Sequence, residues 1–165
     1  MRVLTRRELL KTGAAGVAVL TLADCSRAVT GVTADERAIV MKIADAMLDG
    51  AIPSGGEERA SALGAAADGF ATAVDGLQPN VRREVQQLFS LLTFAPTRRI
   101  VAGLPPWEQA TRDDVAAFLE SWRYSRFSLL RSGYDALHQL VMAGWYGQSA
   151  AWARIGYPGP PRIRA

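Results

Sequence analysis

Apolar residues recur every three or four positions through most of this 165-residue chain, and prolines and glycines interrupt the pattern at intervals. Such spacing places side chains on one face of an α-helix, whereas a half-buried β-strand requires alternation with period two. No segment alternates for long enough to form a strand. The sequence therefore predicts an all-α fold, a compact bundle of about five helices around one core.

Capping residues and helix breakers predict the helix boundaries in the front half of the chain. A capping box, Thr33 with Glu36 three residues later, opens the first helix, and Asn80 is the expected N-cap of the third. Gly50 and Pro53 end the first helix. The predicted helices cover residues 34–48, 57–77 and 81–93.

Two further apolar patterns predict helices in the back half, after an irregular segment over residues 96–106. Thr111 and Asp114 form a second box-like cap, before a helix that carries Val115, Phe118, Leu119 and Trp122. The next pattern contains Phe127, Leu130, Tyr134, Leu137, Val141 and Trp145. Whether these two helices are continuous near Ser125 stays open at this point.

The C-terminal segment, residues 144–161, is rich in aromatic residues, glycine and proline together, so one long helix is excluded. Its rings either fold back on the bundle or face a partner, because aromatic side chains are common interface anchors. Trp145 is in phase with Tyr134 and Val141, which favours a place in the core for that ring. The candidate partner interface consists of Trp145, Tyr146, Trp152, Tyr157 and Pro158.

The N-terminal residues have the order of an export signal: basic residues, an apolar run over residues 12–23, and then small polar residues. The segment Thr5-Arg6-Arg7-Glu8-Leu9-Leu10-Lys11 resembles the twin-arginine leader, whose receptor-read residues would be Arg6, Arg7, Leu9, Leu10 and Lys11. Two arginines that merely open a surface helix are the alternative. The twin-arginine route exports folded proteins, so we expect a periplasmic location.

The leader is expected to comprise residues 1–28 and the helical domain residues 29–165, with cleavage after Ala28 and, as a less favoured site, after Ala34. The apolar run is too short to span a bilayer, which takes about 20 residues. Cys25, the only cysteine, follows Asp24, where a lipoprotein signal has a small residue. It is either lipidated or removed with the leader, and the helical domain has no disulfide.

The net charge of +3 arises entirely in the first 27 residues, so the rest of the chain is neutral and no nucleic-acid partner is expected. Charge is nevertheless divided within the domain. Residues 28–97 contain five basic and nine acidic groups, and residues 98–165 contain nine basic and five acidic groups. These halves either pair with each other or face a polarised partner.

Motifs for redox chemistry are missing from the sequence. It contains no dinucleotide-binding fingerprint, no Cys-x-x-Cys-His for haem attachment and no cluster of metal ligands. The single histidine, His138, is expected to be a packed or half-exposed helix residue. The sequence thus predicts no catalytic, cofactor-binding or metal site in this chain.

Several segments together resemble the gluconate 2-dehydrogenase subunit 3 family, and the most specific is the tail from Trp145 to Pro160. The others are the twin-arginine leader, Ile43-Ala44-Asp45-Ala46-Met47-Leu48, Leu104-Pro105-Pro106, the helix from Ser125 to Tyr134, and Gly156-Tyr157-Pro158-Gly159-Pro160. The resemblance implies a small, non-catalytic subunit of a flavin-dependent dehydrogenase of the glucose-methanol-choline type. FAD would lie in the large subunit, which lacks a leader of its own.

The resemblance further implies that the small subunit helps to mature the large subunit and exports it through the twin-arginine translocase. The large subunit would oxidise sugars, sugar acids or alcohols, and a cytochrome c subunit often accepts the electrons. Membrane association would then come through partners. The alternative hypothesis is a free-standing periplasmic helical module that binds proteins and uses the same export route.

Overall fold

The computed structural model describes residues 31–160, and within them the predicted all-α fold is confirmed: helices account for the regular structure and no strand is present. A helical turn, Ala95–Thr97, and a π-helical turn, Arg98–Ala102, lie between the third and fourth of the longer helices. No helix in this part of the chain has the length and hydropathy to cross a membrane. The helices are α1 Ala34–Met47, α2 Gly56–Asp75, α3 Pro79–Thr93, α4 Arg112–Arg123, α5 Ser128–Tyr146 and α6 Ser149–Arg154.

The predicted export signal, including Arg6, Arg7, Leu9, Leu10 and Lys11, lies outside the described residues. The same holds for the expected cleavage after Ala28 and for Cys25. The less favoured cleavage site, after Ala34, would remove the first residue of α1.

Both predicted capping boxes are confirmed. At α1 the Thr33 amide donates to Glu36 Oε2 at 2.8 Å and the Glu36 amide donates to Thr33 Oγ1 at 3.3 Å. At α4 the Thr111 amide donates to Asp114 Oδ2 at 2.9 Å, and the Asp114 amide donates to Thr111 Oγ1 at 3.2 Å. The Thr111 hydroxyl and amide, which both donate to this carboxylate, hold the pKa of Asp114 below its ordinary value.

The predicted start of the third helix is wrong by two residues. Pro79 is the first residue of α3 and Gln78 is its N-cap, so Asn80 lies inside the helix. Proline suits the first helical position because its fixed φ is already helical and no intrahelical partner is needed for the missing N–H. The second helix also ends earlier than predicted, at Asp75, and Leu77 lies in the link that follows.

A break separates α4 from α5 and answers the question left open near Ser125. Phe127 was expected on the apolar face of α5, but it is the N-cap residue, with extended backbone, and 55% of it is exposed. Because Phe127 lies outside the helix, the 3.6-residue period of α5 does not place its side chain on the buried face. Leu137, Val141 and Trp145 keep the period and are buried.

The core is centred on the crossing of α2 and α5, the most extensive helix pair. Gly69 and Gly144 allow their backbones to touch: a Cβ on Gly69 would lie 2.1 Å from the Gly144 carbonyl oxygen, and one on Gly144 would lie 2.5 Å from the Phe70 nitrogen. Phe70 is fully buried beside this crossing and meets Phe89 of α3 edge to face, with ring centroids 5.9 Å apart.

Two buried indoles attach the link between α3 and α4 to the bundle. Trp107 Nε1 donates to the Leu92 carbonyl at 2.8 Å, and Trp122 Nε1 donates to the Val101 carbonyl at 3.1 Å. Phe118 lies between them and meets both rings edge to face, at 6.5 and 4.8 Å. Since buried N–H groups are costly unless they are bonded, these contacts fix the irregular link on the core.

Candidate partner interface

The five aromatic and proline residues predicted to face a partner differ greatly in exposure. Trp145 is only 2% exposed and belongs to the core, as its phase with Tyr134 and Val141 favoured. Trp152 is partly buried and packs against the core from α6, a short helix that the sequence did not predict. Three remain on the surface: Tyr146, Tyr157 and Pro158.

Trp152 is the residue around which the tail folds. Its Nε1 donates to the Tyr146 carbonyl at 2.8 Å, and its ring meets the Tyr157 ring edge to face at 5.5 Å. The Tyr157 amide donates to the Trp152 carbonyl at 2.9 Å. Gly159, with φ of +96°, lies against the same indole, where an added Cβ would be 3.2 Å from Cζ3. The tail thus has a defined conformation of its own.

Gln148, between α5 and α6, connects the tail to the α2–α5 crossing. Its Nε2 donates to the Ala65 carbonyl of α2 and, at 3.1 Å, to the Gly144 carbonyl of α5. The direction in which the chain leaves α5 is therefore set by contacts within the bundle.

The exposed part of the tail borders a shallow depression of about 400 Å³. Tyr146 and Ile155 supply apolar surface, and Arg154 supplies one guanidinium. Ile155 is 57% exposed and Tyr157 is 44% exposed. This arrangement offers apolar contact and one cation to a partner side chain, which suits binding between proteins.

His138, the only histidine, is half-buried on α5 and stacks on Tyr134, with ring centroids 5.7 Å apart and 25° between the ring planes. Within residues 31–160 no group of three His, Cys, Asp or Glu side chains is placed to hold a metal ion. That this chain has no catalytic, cofactor-binding or metal site stays a prediction.

A second exposed apolar region was not predicted as an interface. It lies at the junction of α4 and α5, where Tyr124 is 70%, Phe127 55% and Leu129 76% exposed. A signal for it exists in the sequence, since residues 121–134 contain three arginines and no acidic residue. That signal was overlooked because the apolar residues in this stretch have helical spacing, which was interpreted as a buried helix face.

The structure also bears on the division of charge between the halves of the domain. Arg37 pairs with Asp68 at 2.8 Å and Arg59 with Asp45 at 2.6 Å, and both pairs lie within the front half. Among the described residues, the one ion pair that joins the halves is Arg112 with Asp49, at 2.6 Å. Within residues 98–160, most basic side chains thus form no ion pair with a described residue.

No protein-family model, curated protein or solved structure matches this chain. The resemblance to the gluconate 2-dehydrogenase subunit 3 family therefore depends on the sequence segments named above.

Proposed function

We propose that this chain is a non-catalytic small subunit that binds a large flavin-dependent dehydrogenase, helps it to mature and carries it to the periplasm. The substrate of the large subunit would be a sugar, a sugar acid or an alcohol. FAD would be bound by that subunit, and a cytochrome c subunit would be a further partner. The observation that carries the proposal is the twin-arginine motif from Thr5 to Lys11 at the start of a small helical domain.

The physical reason is the kind of cargo that this route carries. Proteins are exported by it after they have folded, which is required when a cofactor is inserted in the cytoplasm. The helical domain has no cysteine and forms no disulfide, and its core is one cluster of apolar side chains. A leader for folded proteins on such a domain is best explained by a folded partner that travels with it.

Two exposed apolar regions support binding to a partner: the tail around Tyr157 and the α4–α5 junction around Leu129. Monomeric proteins expose single apolar residues routinely, but clusters of exposed aromatic and aliphatic side chains are typical of interaction sites.

The test is to purify the full chain, tagged at its C-terminus, from the periplasm of its own host. We expect a large protein with the yellow absorbance of bound flavin to co-purify. Deletion of this chain should leave that flavoprotein in the cytoplasm, and re-expression should restore its export. A flavoprotein that reaches the periplasm equally well without this chain would contradict the proposal. Purification without any flavoprotein would favour the free-standing binding module instead.

A further inference from the structure

The surface of residues 123–131, which we term the junction face, combines exposed apolar side chains with arginines. Tyr124, Phe127 and Leu129 are each more than half exposed. The π-helical turn lies close to the start of the junction face. Trp122, the residue before Arg123, donates its Nε1 hydrogen to the Val101 carbonyl of that turn. Ile100 of that turn is also exposed, at 83%.

The arginines of the junction face lie close together in a stretch that contains no acidic residue. Arg123, Arg126 and Arg131 form no ion pair among the described residues, and no acidic residue occurs between Glu120 and Asp135. Elsewhere in the described domain, Arg37, Arg59 and Arg112 each pair with an aspartate, whereas other arginines, such as Arg83, form no ion pair and do not belong to a comparable cluster. The junction face therefore has a local charge of +3 that no ion pair with a described residue neutralises.

Contacts within the face hold these guanidinium groups in place. Arg123 Cζ lies 5.3 Å from the centroid of the Tyr124 ring, and Arg126 Cζ lies 4.8 Å from that of the Phe127 ring. Arg131 Nη1 donates to the Ser125 carbonyl at 2.6 Å. Cation–π contacts and this hydrogen bond restrict side chains that would otherwise have many rotamers, so less entropy is lost when a partner binds.

We infer that the junction face docks a protein surface in which carboxylates surround an apolar patch. Arginine forks match carboxylates in a bidentate geometry, and arginine with aromatic residues is the composition of interface hot spots. The inference rests on the proposed function, since the partner in question is the large flavoprotein subunit. We commit to a protein surface rather than an anionic lipid surface because the exposed aromatic and aliphatic side chains beside the arginines have the composition of a protein interface.

The test uses the full tagged chain with Arg126→Glu and Leu129→Ser combined. Both side chains are exposed, so the melting temperature of the variant should remain that of the wild type. The amount of flavoprotein retained per tagged chain should fall about tenfold or more. Arg83→Glu, at an exposed position on α3, serves as a control that reverses one arginine charge outside the face and should retain the flavoprotein. Added salt should weaken capture by the wild type more than capture by the variant.

The outcomes separate this inference from the proposed function. If the wild type captures the flavoprotein and the junction variant captures it equally well, the inference is overturned and the proposed function stands. If the wild type captures no flavoprotein, both fail. A third arm measures sedimentation with vesicles of phosphatidylglycerol and phosphatidylcholine. Loss of vesicle binding in the variant, with flavoprotein capture unchanged, would assign the face to lipid and contradict the inference.

Discussion

Gly144 shows how a single residue controls the packing of this domain. It lies where α5 crosses α2, and its missing side chain lets the two backbones come into direct contact. A Cβ there would lie 2.5 Å from the Phe70 nitrogen and 2.8 Å from the Ala66 carbonyl oxygen. Both neighbours are backbone atoms of a helix, so no rotamer change can relieve the overlap, and the helices would have to separate.

Replacing Gly144 with alanine should therefore lower the free energy of unfolding by about 1–3 kcal/mol, as overpacked cores do. Gly64→Ala is the matched control, because α2 also contains Gly64 and an added Cβ would meet only Arg37 Nη2, at 3.5 Å. This change should instead stabilise the protein, by about 0.5–1 kcal/mol, since alanine loses less backbone entropy in a helix. Denaturant unfolding of both variants measures the difference, and equal effects would argue against a close crossing.

At the scale of elements, the tail is a folded unit rather than an irregular end. The α6 helix, the Trp152–Tyr157 ring contact and the turn to Gly159 together place one ring inward and leave the other outward. Trp152 packs on the core, whereas Tyr157 is 44% exposed. The Trp152 ring therefore belongs to the core and the Tyr157 ring to the surface, although both were predicted from the sequence as candidate interface residues.

Separate alanine variants of these residues should distinguish the roles. Trp152→Ala removes a core contact and the hydrogen bond to the Tyr146 carbonyl, so it should cost about 1.5–3 kcal/mol of unfolding free energy. Tyr157→Ala should cost less, about 0.5–1 kcal/mol, because it removes only the edge-to-face contact with Trp152, while it weakens binding of the flavoprotein by about 2 kcal/mol. Thermal melting and co-purification are the measurements. Unchanged retention of the flavoprotein by the Tyr157 variant would remove the tail from the interface.

At the scale of the whole molecule, the proposed function requires two parts of the chain: an export leader and a helical domain with two exposed apolar regions. Only one ion pair, Arg112 with Asp49, connects the charge halves of the described domain. From the sequence, the oppositely charged halves could either pair with each other or face a polarised partner. The structure favours the second possibility, a positive surface that is available to a partner. Export and partner binding would then belong to different parts of the chain.

Replacing Arg6 and Arg7 together with lysine should abolish export. Lysine keeps the charge, but it lacks the planar fork of donors that a receptor for paired guanidinium groups reads. Cell fractionation should find both this chain and the flavoprotein in the cytoplasm, with the complex still formed. Periplasmic protein at the wild-type level would rule out a twin-arginine route, whereas binding of the flavoprotein would be unaffected by that result.

The sequence by itself determined the features that depend on neighbouring residues. The all-α fold, most helix bounds to within one or two residues, and the capping boxes at Thr33 and Thr111 were predicted correctly, because periodicity and capping act over one or two turns. Asn80 was wrongly predicted to be the N-cap of α3. Asparagine is favoured as an N-cap and proline at the first helical position, and in this helix Pro79 occupies that first position.

Only the tertiary structure decided which side chains meet across helices. Neither the contact of Gly69 with Gly144 nor the partial burial of Trp152 follows from local spacing, since each depends on how one helix packs on another. The exposure of Phe127 depends on the break between α4 and α5, which places this residue before the first turn of α5. The junction face depends on the packing in the same way, because the positions of α4 and α5 leave Tyr124, Phe127 and Leu129 exposed beside arginines that form no ion pair among the described residues.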